Sequence, residues 1–174
     1  MKIMGIDLGK ARTGVCVSDL SGFLAGRSVT IAEHNRERLL EAVCAAAPEC
    51  RIRLGSLEPR IITEEFCEAM VKYENLCPQF HLSMQSGCDT VLERMKRKYD
   101  TARYYESVRL LNAYFPGCAI TTDMIVGFPG ETNEEFEDTL RLVKAVEYDS
   151  MFTFIYSPRE GTVAAKMPDP MTRQ

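Results

Sequence analysis

Residues 121–132 constrain this chain more than any other stretch. Thr121-Thr122-Asp123-Met124-Ile125-Val126 is a β-rich run that breaks into Gly127-Phe128-Pro129-Gly130 and reopens as an acidic helix start. β-Branched residues favour extended backbone, and glycines at a strand exit let the main chain turn sharply and approach a bound group closely. Pro129 stiffens that exit. Thr132 with Glu135 forms the T-x-x-E pattern of a capping box, in which each side chain serves the other residue's backbone N–H. A strand that feeds a capped helix through such a turn is the building unit of an α/β fold, and helix N-termini attract anions and carboxylates.

The same grammar repeats along residues 51–174. A strand over 51–54 ends in Gly55-Ser56-Leu57-Glu58-Pro59, and a helix capped near Thr63 follows with Phe66 and Met70 on one face. A strand over 79–84 ends in Gln85-Ser86-Gly87-Cys88 before a helix through Val91, Leu92 and Met95, then a second helix from about Thr101 to Tyr114. The third strand covers 119–126, and its capped helix carries Phe136, Leu140 and Val143 at helical spacing. A fourth strand over 151–156 ends in Ser157-Pro158-Arg159. Strands alternating with helices predict a parallel sheet with right-handed crossovers, whose ligands sit beyond the strands' carboxyl ends. Ser56, Glu58, Gln85, Ser86, Gly127, Glu131 and Ser157 are therefore expected at one edge of the sheet, lining a common groove.

The tails of these strands also carry a resemblance. The runs RIRLGSLEP, FHLSMQSGCDTVLERMKRKYDTARYY, TTDMIVGFPGETNEEFEDT and FIYSPREGTVAAKMPD resemble, in unbroken order over roughly residues 38–174, the tRNA methylthiotransferases of the radical SAM superfamily, the threonylcarbamoyladenosine branch in particular. The resemblance implies a six-stranded partial (β/α) barrel, of which this chain holds the third to sixth strands. It implies S-adenosylmethionine and a 4Fe-4S cluster as cofactors, tRNA as partner, and methylthiolation of the modified adenosine beside the anticodon. Ile125, Gly127, Gly130 and Glu131 resemble the turn that contacts the adenine of S-adenosylmethionine, and Gln85 and Ser86 resemble the residues near its ribose. Ser56, Glu58, Arg97, Ser157 and Arg159 are the implied substrate-side positions.

The cluster itself is not expected on this chain. The superfamily holds its cluster through C-x3-C-x2-C, because three thiolates on one tight loop leave the fourth iron open. The seven cysteines here are Cys16, Cys44, Cys50, Cys67, Cys77, Cys88 and Cys118, with no such run and no C-x2-C, so zinc-ribbon and thioredoxin readings fail as well. Scattered cysteines of this kind are ordinarily buried small hydrophobes.

The amino terminus reads differently. Lys2 to Asp19 forms an apolar strand, a Gly-rich basic turn and a second alternating strand, hence a β-hairpin. It is similar to the opening of the RNase H superfamily, specifically the Holliday-junction-resolvase family of bacteria, and GFLAGRSVTIAEHNRERLLEAV continues that likeness as a strand and a helix capped near Asn35. The likeness implies a metal-binding role for Asp7 in a metal-dependent nuclease. Cutting phosphodiesters with two metals needs several converging carboxylates, which Asp7 alone does not provide. Asp19 and Glu33 match no motif. The sequence thus divides into an amino-terminal RNase H-like fragment, 1–46, and a partial radical SAM barrel, 47–174, with a seam near 38–50 that continues a helix in either parent. The chain by itself is expected to lack turnover. A non-catalytic module that pairs an open sheet edge with another chain is the third reading.

Composition bounds the rest. Against 25 acidic residues stand 21 Lys and Arg, a net charge of -4, which disfavours a self-sufficient nucleic-acid binder because phosphate contact needs a basic surface. Arg94-Met95-Lys96-Arg97-Lys98 is the exception, a basic cluster at a helix end with Tyr99, Tyr104 and Tyr105 nearby. Two histidines, His34 and His81, stand unpaired in the sequence. Neither a signal peptide nor a membrane span is legible, and free cysteines fit a reducing, cytoplasmic compartment.

Overall fold

The computed structural model describes residues 4–8, 13–21, 25–31, 35–46, 48 and 51–168. The chain divides into two compact units, Met1–Pro48 and Glu49–Gln174.

In the first unit β1 (Met4–Leu8) pairs antiparallel with β2 (Thr13–Ser18), which pairs antiparallel with β3 (Ala25–Ile31). Asp7 stands opposite Gly14 in this hairpin. Helix α1 (Arg36–Ala46) begins at Asn35, whose side-chain oxygen accepts the Arg38 N–H at 2.8 Å and so satisfies one orphan donor of the first turn. The turn between β1 and β2, Glu33, His34, Cys50 and the side chain of Asp7 lie outside the described residues.

The second unit is a four-stranded sheet in the order β4 (Ile52–Leu57), β5 (Leu76–Leu82), β6 (Ala119–Val126) and β7 (Ser150–Ile155), every pair parallel. Its helices are α2 (Glu64–Met70), α3 (Asp89–Arg94), α4 (Thr101–Tyr114) and α5 (Asn133–Val146). β4 and β5 depart from the expected limits of 51–54 and 79–84. β4 continues to Leu57, so Ser56 lies inside a strand with a left-handed φ of 54°. β5 begins at Leu76 and passes through Pro78. Proline lacks the N–H a ladder needs, and the β4–β5 register accordingly shifts between Ile52 and Leu54, which face Leu76 and Phe80.

One face of the sheet is dry. Ile52, Leu54, Phe80, Leu82, Ile120 and Met124 are buried together with Phe66, Met70, Tyr104, Val108 and Leu111 from the helices. Each fully buried apolar side chain of this size contributes about 1.5–3 kcal/mol. Polar ties fix the helices to the sheet: the Tyr104 hydroxyl donates to the Leu82 carbonyl at 3.2 Å, and Ser107 donates to the Pro59 carbonyl at 2.8 Å. Tyr99 and Tyr104, adjacent to the basic cluster in sequence, are buried struts. Tyr99 donates to the carbonyls of Ser83 (2.7 Å) and Met84 (3.1 Å), and burial pushes both phenols up to about 12.

The other face stays open. Along β7, an edge strand, Phe152 and Phe154 are exposed on this face, and Ile155 is exposed on the other. The apolar stripe of α5 is only partly covered: Phe136 is exposed and Leu140 and Val143 are half-buried, whereas Thr139 and Val146 are buried. A helix over an edge strand has less sheet to lie on than its neighbours. Its N-terminus is nonetheless well fixed, because the Thr132 Oγ1 accepts the Glu135 N–H at 3.2 Å and Glu135 accepts the Thr132 N–H at 2.9 Å. Thr132→Ala is expected to lower stability by about 1 kcal/mol, with Thr132→Ser close to wild type. Urea melts followed by circular dichroism check this, and an alanine variant as stable as the serine one refutes a capping role.

Candidate functional site

The site is built where β5 and β6 leave the sheet. Gln85 adopts a left-handed φ of 68° and bridges to β6 beyond the end of the regular ladder. Its N–H donates to the Asp123 carbonyl and its carbonyl accepts the Ile125 N–H, both at 2.9 Å. Met84 N–H donates to the buried Thr122 hydroxyl at 2.9 Å. A non-glycine residue is held in this conformation only when its surroundings over-determine it, and the double backbone clip does so. Gln85 and Ile125 are thereby presented side by side.

The turn after β6 is shaped by one carboxylate. Glu131 Oε2 accepts the N–H groups of Gly127 (2.5 Å) and Phe128 (3.2 Å), while Oε1 is buried without a hydrogen-bond partner among the described residues. Burial raises the Glu131 carboxyl above its ordinary value, and the two N–H donors partly offset this. Gly127 and Gly130 both have left-handed φ, 68° and 78°, which a side chain would strain. Alongside, Arg94 makes a forked pair with Glu135, Nη1 to Oε1 at 2.9 Å and Nη2 to Oε2 at 2.6 Å, and Nη2 also donates to the Gly130 carbonyl at 3.3 Å. The guanidinium holds the Glu135 carboxyl down to about 2. Arg94 therefore ties α3 to the capping box of α5 and to the turn between.

These exits enclose a cavity of about 690 Å³, within the range of small-molecule sites. Of the positions anticipated from sequence it brings together Gln85, Ile125, Arg97, Ser157 and Arg159. Its remaining walls include Arg94, Lys96, Asp123, Phe128, Phe154 and Tyr156, with Phe128 and Tyr156 in edge-to-face contact at 5.2 Å. Gly127, Gly130 and Glu131 shape the turn rather than line the cavity. Ser86 is fully buried, its hydroxyl accepting the Cys88 N–H at 3.3 Å and lying 3.4 Å from Thr139 Oγ1. Ser56 lies within the opposite edge strand β4, and Glu58, just past its end, pairs with Arg60 at 2.5 Å. They lie outside this cavity, so the strand tails share one edge of the sheet without sharing one groove.

The sequence reading left His81 as a lone histidine. In the structure its Nε2 lies 3.2 Å from Asp123 Oδ2 and its Nδ1 lies 3.0 Å from Thr121 Oγ1. The available signal was period-2 alternation: residues 81, 121 and 123 fall on the face opposite to the buried apolar positions, in strands that pair His81 with Thr121.

Comparison with known proteins decides the family. The Radical SAM superfamily model matches residues 23–143, a span that begins inside the segment read above as RNase H-like. The chain belongs to the radical SAM superfamily. Over 141 residues it is 47% identical to tRNA-2-methylthio-N(6)-dimethylallyladenosine synthase of Clostridium botulinum (strain Okra / Type B1), covering 81% of this chain and 30% of that protein. Over 119 residues it is 52% identical to the protein of the same name from Bacillus subtilis (strain 168), covering 68% of this chain and 23% of that protein. The chain thus spans less than a third of the length of these curated relatives. Among solved structures it is similar to coproporphyrinogen III oxidase (HemN) of Escherichia coli, a radical SAM enzyme, with a TM-score of 0.63 at 17% identity over 79% of this chain and 34% of that one. This likeness carries the fold.

Cys16, Cys44, Cys67, Cys77, Cys88 and Cys118 sit on separate elements, and no group of three or more His, Cys, Asp or Glu converges among the described residues. Burial pushes the Cys67 thiol up to about 11, away from the thiolate that iron requires. The described residues do not fit a 4Fe-4S cluster. For S-adenosylmethionine the fit is better: the cavity has the size, an apolar wall at Ile125 and Phe128, and a cationic rim at Arg94, Lys96, Arg97 and Arg159. No helix among the described residues is long and apolar enough to cross a membrane.

Proposed function

We propose that this chain is the portion of a tRNA methylthiotransferase barrel that cradles the adenosyl part of S-adenosylmethionine. The observation that carries the reading is the clip between Gln85 and β6, which sets a polar side chain and Ile125 at the mouth of one cavity. On this reading Ile125 and the Gly127–Gly130 turn receive the adenine, Gln85 the ribose hydroxyls, and Arg97 or Arg159 the amino-acid carboxylate. Bound S-adenosylmethionine would supply the activated sulfonium on which superfamily chemistry draws. The chain's own residues bind and orient it, and exclude water through the Phe128–Tyr156 wall. Ser86 acts indirectly by packing the loop.

The substrate is proposed to be an N6-substituted adenosine of tRNA. The sequence resemblance favours a threonylcarbamoyl substituent, and the relatives' names carry a dimethylallyl one; both leave a single N6–H. The first two of the six barrel strands would add beside β4, the third strand on this reading, and β7 is the other unpaired edge of the sheet, since unpaired edges recruit partners.

Titration of the ¹⁵N-labelled chain with S-adenosylhomocysteine tests the reading. Saturable shifts at Gln85, Ile125 and Gly127 are expected, weakened about tenfold in Ile125→Asp, which puts a charge on the apolar wall. Shifts confined to residues outside the cavity would sink the proposal. Anaerobic incubation with iron and sulfide is expected to leave the spectrum of this chain without a stoichiometric 4Fe-4S absorbance.

A further inference from the structure

The open face of the sheet carries a polar pair that the S-adenosylmethionine reading does not use. His81 on β5 is nearly buried, its side chain 10% exposed, while the Asp123 side chain on β6 is 33% exposed and lines the cavity. The imidazole is held from both sides, by Thr121 at 3.0 Å and Asp123 at 3.2 Å, so it fixes one carboxylate oxygen of Asp123 in place. Among the described ion pairs His81 is the partner of Asp123. The carboxylate retains unused acceptor capacity, and it faces a cavity.

Beside it lies an aromatic surface. β7 pairs in register with β6, Asp123 opposite Phe152 and Ile125 opposite Phe154, so both rings stand on the same face as the carboxylate. Phe152 is 55% and Phe154 54% exposed, and the His81 and Phe152 rings lie 6.3 Å apart. An exposed aromatic face accepts any base by stacking, whereas an ionised acceptor at its margin accepts only a base that offers an N–H.

We propose that Asp123, oriented by His81, receives the exocyclic N–H of a purine base stacked on Phe152 and Phe154, and so rejects an adenine whose N6 carries two substituents. The choice of nucleoside rests on the methylthiotransferase reading; the acceptor geometry does not. An adenine with one N6 substituent keeps one N–H, and one with two substituents keeps none. Asp123 and Phe152 lie one side-chain repeat deeper in the sheet than Ile125 and Phe154, which leaves the turn free for a second adenosyl group.

The test uses the full chain, ¹⁵N-labelled and saturated with S-adenosylhomocysteine, titrated with N6-methyladenosine, N6,N6-dimethyladenosine and inosine. N6-methyladenosine is expected to shift His81, Asp123 and Phe152 and to bind at least about tenfold more tightly than the dimethyl compound, the scale of one charge-assisted hydrogen bond. In Asp123→Asn the amide oxygen keeps the His81 contact and the NH2 group faces the cavity. The preference should then invert toward inosine, whose O6 is an acceptor; a merely structural aspartate would not produce that inversion. Equal binding of the two adenosines, retention of the wild-type preference in D123N, or absence of binding by either adenosine overturns the proposal. Should S-adenosylhomocysteine fail to bind, the same titration without it still reads the aromatic face, which separates failure of the cofactor reading from failure of this one.

Discussion

Gly87→Ala is expected to destabilise the protein by about 1–3 kcal/mol, the cost of overpacking a rigid contact. A Cβ built on Gly87 would lie 2.7 Å from the Thr139 Cα and 3.2 Å from both the Leu142 Cβ and the Thr139 carbonyl oxygen. The first of these is backbone, so no rotamer change relieves it. The Gly87 N–H also donates to Thr139 Oγ1 at 3.0 Å, so pushing α5 away breaks a buried hydrogen bond. The consequence extends past stability, because the loop from Gln85 to Cys88 carries the clip to β6. Urea unfolding should show the loss, and affinity for S-adenosylhomocysteine should fall with it. A Gly87→Ala protein within about 0.5 kcal/mol of wild type, the scatter of neutral surface changes, would mean that loop and helix are not in this contact.

Arg94→Leu is expected to cost about 1.5–3 kcal/mol, the range for hydrogen bonds to a charged group. The substitution keeps apolar bulk but removes the fork to Glu135 and the contact to the Gly130 carbonyl. Glu135 would be left with Thr90 and the Thr132 N–H as partners. The pH dependence gives a second readout. The Glu135 carboxyl sits at about 2 in the folded protein against an ordinary 4.5, so the pair's contribution is present above pH 4.5 and drains away as pH falls toward 2. Glu131 runs the other way, since its raised pKa means that protonation relieves the folded state. Wild type should therefore lose stability between pH 4.5 and 2, and Arg94→Leu should lose markedly less over the same window. Parallel acid profiles for the two proteins would remove the Arg94–Glu135 pair as the cause.

Local chemistry made much of the fold legible before any coordinates. The helix from Thr101 to Tyr114 and the strand from Ala119 to Val126 were read at their observed limits, because their caps and turns are written in the chain: Asp100 caps the first and Gly127 ends the second. Thr132 and Glu135 announced a capping box that is present in full. The limits of β4 and β5 were less visible. Ser56 and Gln85 adopt left-handed conformations that their residue types do not advertise, and they do so because neighbouring strands hold them there.

The candidate site divides along the same line. The backbone turn at Gly127–Gly130 and the exposed polar tail at Ser157 and Arg159 depend on residues a few positions apart, and sequence located them. The family resemblance implied a place near the ribose for Ser86, whose hydroxyl packs against α5, where Thr139 lies 53 residues further on. His81 looked solitary because Thr121 and Asp123 are 40 and more residues away. The alternation of strand and helix, and with it the parallel sheet whose strand ends gather at one edge, follows from local chemistry: hydrophobic period, caps and turn glycines act over a few residues and need no partner. Which polar groups at that edge face the cavity, and which are spent on one another, is settled by long-range packing. That choice depends on the register between strands and on the seating of a helix, contacts between residues far apart in the chain.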